Sequence, residues 1–397
     1  MQIITESFWT DLKNWHKKMK NTFIKLFLFI FTAFFTVNAA MADFSFNDME
    51  LKFAQVSDVH ISEGSDTAYK VLSHSKELFE DAILTLNKIK GLDFVVFTGD
   101  MVDEPTGGLY RSFFETLSKL NHPSLLVFGN HDSAFSDIEE EEIQEKLLDK
   151  NTILDVITRS NPYQPYRMPY FAYSPSKDYR VIVLDTTIAE RTTSNGYISE
   201  EQLNFLDNEI ASNQDKVIII FQHHPVIEPI KSEHHRLTNP EAYLQVLKKY
   251  EKVPIAIFAG HYHAARIIRK GNVIHVASPS LVTFPNAFRV VNITNYNDRV
   301  IFQFKMYETG LKEIQEISKS GLIASVAFQG KSSDRNNEIM IRKGYVPKVK
   351  LTKEEKQAIK QEKKAQKQAE KERKRAEKEA KKALKKQQKE QEQEFEG

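Results

Sequence analysis

Five short motifs rich in Asp, His and Asn lie along the first two-thirds of the sequence. They are Asp58-Val59-His60, Gly99-Asp100, Gly129-Asn130-His131-Asp132, Gln222-His223-His224-Pro225 and Gly260-His261-Tyr262-His263. Carboxylate oxygens, neutral imidazoles and amide oxygens suit a pair of divalent ions such as Mn, Fe or Zn. Such a pair clamps phosphoryl oxygens and lowers the pKa of a water between the ions, while a nearby imidazole serves the leaving group. The motifs together therefore indicate hydrolysis of a phosphate ester.

Each motif directly follows a short apolar run that predicts a buried strand. The runs are residues 53–57, 94–98, 125–128, 217–221 and 255–259. Apolar residues at helical spacing between them, as in residues 70–90 and 199–211, predict an alternating α/β domain. Ligands bind beyond the carboxyl ends of the strands in such sheets, so we expect all five motifs at one edge. Near the end of the domain, residues 332–338 are expected to form a loop.

Composition narrows the chemistry and the partners. The 397 residues include no cysteine, which excludes disulfides, thiolate metal ligands and a cysteine nucleophile. The formal net charge is only +1, and residues 1–350 contain four more acidic than basic side chains. Grooves for nucleic acid are basic, so we expect a small phosphorylated substrate and no specific nucleic-acid partner. A metal-stabilised binding module without activity is the alternative function, and a nuclease is a further one.

The two ends of the chain differ in composition from its middle. Residues 26–37 form an apolar run after Lys20 and Lys25, with small residues at Ala40 and Ala42. This pattern is typical of a secretory signal peptide over residues 1–42, with Met19 as an alternative start. Removal of the segment would place the enzyme in the periplasm or outside the cell, whereas an uncleaved segment would tether it to a membrane. Residues 43–347 would form the catalytic domain.

The last fifty residues, 348–397, consist mainly of Lys, Glu, Gln and Ala. Such a stretch lacks the apolar face that packs a helix against a core. We therefore expect a charged tail that is helical or disordered, and the sequence gives no partner for it.

In this order, the five motifs resemble those of the calcineurin-like metallophosphoesterase superfamily. Their spacing is most similar to its class III cyclic-nucleotide phosphodiesterase branch. The resemblance covers residues 51–291 and implies an α/β fold with two mixed β-sheets sandwiched between helices. Export argues against a role in cytoplasmic cyclic-nucleotide signalling, so the expected substrates are phosphomonoesters or phosphodiesters in general.

The resemblance also implies a role for each motif residue. It assigns Asp58, His60 and His263 to the first ion, Asn130, His223 and His261 to the second, and Asp100 to both. His131 would act in catalysis, contacting the phosphate together with Asn130, and Asp132 would orient the His131 imidazole. The resemblance gives His224 no ligand role, and we expect it to contact the ligands without binding an ion itself. Arg266 would reach a phosphate or form an exposed salt bridge.

Overall fold

The structure is a computed structural model that describes residues 49–136, 147–161, 164, 167–321 and 325–345, together with Gln368 and Lys371. The predicted signal segment lies outside the described residues, as does the tail apart from Gln368 and Lys371. In the described part of the chain, no helix has the length and apolar character needed to cross a membrane. All elements described below belong to the first of two units, residues 1–346.

The first sheet contains six strands from both ends of the domain. They are β1 (Glu50–Val56), β2 (Phe94–Thr98), β3 (Ser124–Val127), β10 (Ala287–Asn295), β11 (Arg299–Glu308) and β12 (Asn337–Arg342). Their order is β12–β11–β10–β1–β2–β3. The β1, β2 and β3 strands are parallel, and the other pairs are antiparallel. The carboxyl ends of β1, β2 and β3 therefore meet at one edge.

The second sheet is formed by the middle of the chain. Its strands are β4 (Phe171–Tyr173), β5 (Tyr179–Val183), β6 (Val217–Phe221), β7 (Ile255–Ala259), β8 (Arg266–Lys270) and β9 (Val273–Ala277). The order is β4–β5–β6–β7–β9–β8, parallel in the centre and antiparallel at both edges. Every residue of β6, β7 and β9 is buried. Burial on both faces explains why these strands are continuous apolar runs.

Helices cover the outer face of each sheet. Against the first sheet lie α1 (Ser75–Leu86), α2 (Gly107–Leu117) and α3 (Lys150–Ser160), and against the second lie α4 (Glu200–Ala211) and α5 (Pro240–Lys248). The helices α6 (Lys312–Gly321), α7 (Ser325–Gln329) and α8 (Ser332–Arg335) precede β12. The prediction of two mixed sheets between helices is thus confirmed.

The expectation of a loop over residues 332–338 was wrong, because α8 and the start of β12 occupy it. Its buried Asp334 accepts hydrogen bonds from the backbone N–H groups of Lys331 and Ile267. A helix of one turn has little intrinsic stability. This one is stabilised by contact with β8, which no local pattern shows.

Aromatic side chains of the strands join the two sheets. The ring of Phe53 in β1 lies 5.2 Å from Phe94 in the same sheet. It also lies 5.2 Å from Phe221 and 5.1 Å from Phe258, which belong to the second sheet. Such pairs contribute roughly 0.5–1.5 kcal/mol each beyond burial of their area. The strands that precede the motifs are therefore packed into one core.

Candidate metal centre

The polar side chains of all five motifs lie together where β1, β2, β3, β6 and β7 end. Those predicted as metal ligands are buried, whereas the His131 side chain is one-third exposed. One group gathers around Asp58. The Nε2 atom of His263 lies 3.4 Å from Asp58 Oδ1 and 3.3 Å from His60 Nε2. His60 Nε2 lies 3.5 Å from Asp100 Oδ2. Atoms at these separations can share one ion at ligand distances of about 2 Å.

A second group gathers around His223. Its Nε2 atom lies 3.2 Å from Asn130 Oδ1, 3.2 Å from His261 Nδ1 and 3.4 Å from Asp100 Oδ2. The same Asp100 oxygen therefore faces both groups, which is where a carboxylate that bridges two ions would lie. The structure brings all seven predicted ligands together, in the two sets that the resemblance implied.

Oxygen atoms fix the Nδ1 atom of each histidine whose Nε2 atom faces an ion position. The contacts are His60 to Asp103 Oδ1 at 3.0 Å, His223 to the Thr98 carbonyl at 2.8 Å and His263 to Thr283 Oγ1 at 2.6 Å. An imidazole that donates Nδ1–H to an oxygen keeps its Nε2 lone pair for a metal. The rings are therefore oriented as ligands before any ion is considered.

Asp103 is a supporting residue that sequence reasoning missed. Its carboxylate contacts the His60 ring, and Lys70 Nζ lies 3.2 Å from the same oxygen. Its carbonyl oxygen accepts a hydrogen bond of 2.7 Å from His131 Nδ1. Burial disfavours the Asp103 charge, but the His60 hydrogen bond and the Lys70 charge outweigh burial and lower its pKa. One residue thus orients two imidazoles, and only its position three residues after Asp100 hinted at this.

The role predicted for Asp132 needs correction. Its carboxylate accepts backbone N–H bonds of Gly129, Asp100 and Met101, at 2.7–2.8 Å. Asp132 therefore clamps the loop after β3 to the loop after β2, while the His131 ring is held by Asp103. Burial and the negative charge of Asp100 raise the pKa of Asp132 to about 7, against these N–H bonds.

Unusual backbone geometry marks the same loops. Six non-glycine residues in the described chain have φ in the left-handed region, and five are motif residues: Asp58, His60, Asp100, His261 and His263. Each such conformation costs about 1–3 kcal/mol and persists only where the surroundings impose it. Gly129 shows how close the loops approach, because a Cβ atom there would overlap with Asp100. The chain is strained where its side chains converge.

The electrostatics of the site favour a bound cation. Burial opposes the charge of Asp100, but the neighbouring His223, His131 and His60 together outweigh burial and keep the pKa of Asp100 well below its ordinary value. Burial likewise opposes the charge of His223, yet Asp100 outweighs it and raises the pKa of His223 to about 9. The proton on His223 offsets the carboxylate as an ion would, so binding of metal should release it. Oxygen and imidazole donors of this kind fit Mn, Fe or Zn.

Arg266 does not reach this centre. Its Nη1 atom lies 3.3 Å from Asp334 Oδ2. Of the two roles considered for it, the partly exposed salt bridge is confirmed.

The site offers two adjacent ion positions beside a partly exposed imidazole, an arrangement that suits hydrolysis of phosphate esters. These features are typical of metal-dependent phosphoesterases. Comparison with protein families agrees: residues 51–265 match the calcineurin-like phosphoesterase family, and the chain belongs to it. The family uses a dinuclear metal centre, and the His and Asp clusters of this chain can hold one.

Curated relatives are similar over more than half of the chain. A probable glycerophosphodiester phosphodiesterase, GpdQ of Arcobacter nitrofigilis, is 32% identical over 233 residues, covering 57% of this chain and 77% of the relative. A probable cyclic nucleotide phosphodiesterase of Colwellia psychrerythraea is 25% identical, covering 55% and 74%. A 3',5'-cyclic-nucleotide phosphodiesterase of Nostoc sp. is 24% identical, covering 58% and 79%. The chain is accordingly a metal-dependent phosphoric ester hydrolase.

Among solved structures, a dimetal phosphatase from Danio rerio has a similar fold. Its TM-score is 0.51 at 18% identity, covering 66% of this chain and 100% of the other. At that identity the likeness supports the two-sheet fold alone.

Proposed function

We propose that this enzyme hydrolyses small phosphodiesters outside the cytoplasm, using two divalent ions held at the strand ends. The observation that carries the proposal is the Asp100 Oδ2 atom, which lies within 3.5 Å of ligand nitrogens in both groups. Glycerophosphodiesters are the substrates that we expect first. The relative named for them is 32% identical, against 24–25% for the first relatives named for cyclic nucleotides.

The ligand roles follow the two groups. Asp58, His60 and His263 would hold the first ion, Asn130, His223 and His261 the second, and Asp100 would bridge them. Two divalent ions bound there, which we take to be Mn, Fe or Zn, would supply charge for the phosphoryl oxygens and would lower the pKa of the attacking water. The buried carboxylates and fixed imidazoles keep this geometry rigid.

Two further groups are left for the substrate. Asn130 directs its carbonyl oxygen towards His223, so its NH₂ group can donate to a phosphoryl oxygen. His131 commits Nδ1 to the Asp103 carbonyl, which leaves Nε2 for the leaving oxygen. When that nitrogen is protonated it can hand its proton to the departing alcohol. Asp132 would contribute by keeping the His131 loop against Asp100.

A substrate series tests the proposal. The purified protein is assayed with Mn²⁺ or Zn²⁺ on bis(p-nitrophenyl) phosphate, p-nitrophenyl phosphate, glycerophosphocholine and 3',5'-cyclic AMP. We expect diesters to be cleaved faster than the monoester, with glycerophosphocholine preferred over cyclic AMP. His131→Ala should lower kcat by about 10²-fold, and Asp298→Asn, at an exposed turn, should not. Absence of turnover with every substrate and metal would refute the proposal, and preference for the monoester would redirect it to a phosphatase.

Export is tested on the N-terminal segment. The proposal rests on the apolar run at residues 26–37 and the small residues at Ala40 and Ala42. Expression of the whole chain in a bacterium, followed by fractionation and N-terminal sequencing, should give periplasmic or secreted protein starting at Asp43. Membrane-bound protein with an intact start would indicate the tether, and cytoplasmic protein would contradict export.

A further inference from the structure

A third imidazole packs against the second ligand group. The buried ring of His224 has its centroid 4.3 Å from that of His261 and 5.0 Å from that of His223. The His223 and His261 centroids lie 4.9 Å apart, and one ring nitrogen from each residue lies within 4.8 Å of the other two. Imidazoles that share one ion, with metal–nitrogen distances of about 2 Å, have centroids about 5 Å apart. The spacing of these three rings therefore fits a common ion.

His224 is held in the manner of the predicted ligands. Its Nδ1 atom lies 2.9 Å from Thr186 Oγ1, as the Nδ1 atom of His263 contacts Thr283 Oγ1. The Thr186 oxygen also accepts the backbone N–H of His224, and a hydroxyl oxygen can accept two such bonds. When Thr186 Oγ1 accepts both bonds, Nδ1 carries the ring proton and Nε2 keeps its lone pair.

The Nε2 atom has no other use in the described part of the chain. It is buried, and no protein atom is placed to form a hydrogen bond with it. An unpartnered buried nitrogen costs roughly 1–3 kcal/mol. An ion would remove that cost.

A glycine makes the room for this ring. A Cβ atom at residue 196 would overlap with the imidazole of His224. Gly196 is fixed in turn, because its N–H donates to the Arg236 carbonyl and its carbonyl accepts from the Thr238 N–H. The ring of His224 is thus confined beside the second group.

We propose that His224 supplies a third imidazole nitrogen to the second ion, beside His223 and His261. The inference rests on the two-metal site proposed above and adds a ligand to it. Three imidazoles favour Zn or Fe over Mg or Mn. The second position should therefore be the more selective of the two for such ions.

Counting imidazoles on the unmodified protein provides the first test. The full chain is stripped of metal, loaded with two equivalents of Co²⁺ and examined by paramagnetic proton NMR in water. Each bound imidazole contributes one strongly shifted N–H signal. We expect five signals, from His60, His223, His224, His261 and His263. Four signals would refute the inference and leave the two-metal site intact, whereas failure to bind Co²⁺ would refute the site itself.

A shape-preserving variant gives the second test. His224→Phe keeps a ring of similar size without a nitrogen, and His275→Phe is the control, because His275 is also buried but lies in β9 outside both groups. Calorimetric titration with Zn²⁺ should show the second ion bound at least about 100-fold more weakly in His224→Phe, the first ion unchanged, and the control like wild type. Wild-type affinity for both ions would mean that His224 only packs. If His224→Phe does not fold, His224→Gln replaces it and the NMR count still decides.

Discussion

The two ligand groups differ in what surrounds them. The first contains a carboxylate of its own, Asp58, and is supported by the charged Asp103–Lys70 pair. The second contains an amide and imidazoles, shares only Asp100, and its His223 ring is supported by the neutral carbonyl oxygen of Thr98. Harder, oxygen-preferring ions suit the first set and borderline ions the second. The difference shows how one strand edge can offer two unequal ion positions, and the following experiments test that inequality.

The largest effect is expected from the residue that the groups share. Asp100→Asn leaves the shape but removes the charge that faces both ions. We expect kcat on bis(p-nitrophenyl) phosphate to fall by at least about 10³-fold, because both ions lose a ligand. Asp298→Asn removes a carboxylate at an exposed turn and should have wild-type kcat. Activity within tenfold of wild type would show that Asp100 does not bridge.

Chelation should destabilise the whole domain. An ion present at about 1,000 times its Kd stabilises the folded state by about 4 kcal/mol, so two independent ions contribute about 8 kcal/mol. At about 2–4 °C per kcal/mol, EDTA should lower the Tm by roughly 20 °C. Asp58→Asn, which weakens only the first group, should show about half of that shift in calorimetric melts. Equal shifts in the two proteins would mean that the groups do not bind independently.

The carboxylate that contacts His60 Nδ1 should contribute more to metal affinity than the hydroxyl that contacts His263 Nδ1. Asp103→Asn removes the carboxylate behind His60, and Thr283→Val removes the hydroxyl behind His263. We expect Asp103→Asn to weaken the first ion by about 10–100-fold and Thr283→Val by less, with the second ion unaffected. Stepwise calorimetric titration measures both constants. A change in the second ion's affinity instead would contradict the assignment of Asp103 to the first group.

The smallest effect concerns a buried imidazole outside both groups. Burial, followed by the charge of Lys270, lowers the pKa of His275 to about 3. The pKa of His275 is about 6.5 in the unfolded state and about 3 in the folded state, so between these pH values only the unfolded state carries the proton. The free energy of unfolding therefore decreases as the pH falls through this range. From pH 6.5 to 5 this decrease is about 2 kcal/mol. Urea unfolding of His275→Phe should depend less on pH by that amount. Curves for His275→Phe that run parallel to those of wild type would contradict the prediction.

The sequence predicted those features that are coded locally. Buried strands such as residues 217–221 are continuous apolar runs, and their motifs follow at once, so the edge at which Asp58, Asp100 and His261 meet was foreseeable. The division into two sheets came only with the family resemblance. Periodicity alone does not show which strands pair.

What escaped prediction depends on tertiary contacts. Asp103, Lys70 and Thr283 lie in ordinary sequence, and only folding brings them behind the imidazoles. Asp132 was given the wrong partner because its neighbour in sequence, His131, turns towards Asp103. The short helix α8 forms because Asp334 bonds to a distant strand edge. In each case the deciding partner is far along the chain or hidden by a turn.

The centre lies across the junction of the two sheets. Asp58, His60, Asp100 and Asn130 come from the first sheet, and the remaining imidazoles come from the second. Hydrogen bonds cross this seam, from Gln55 Nε2 to the Ala259 carbonyl at 3.1 Å and from the His261 N–H to Asp58 Oδ1 at 3.0 Å. Metal binding therefore depends on how tightly the two sheets pack against each other. We expect Phe258→Ala, which weakens the aromatic contacts between the sheets, to lower the temperature at which the ions are released below the Tm of the domain.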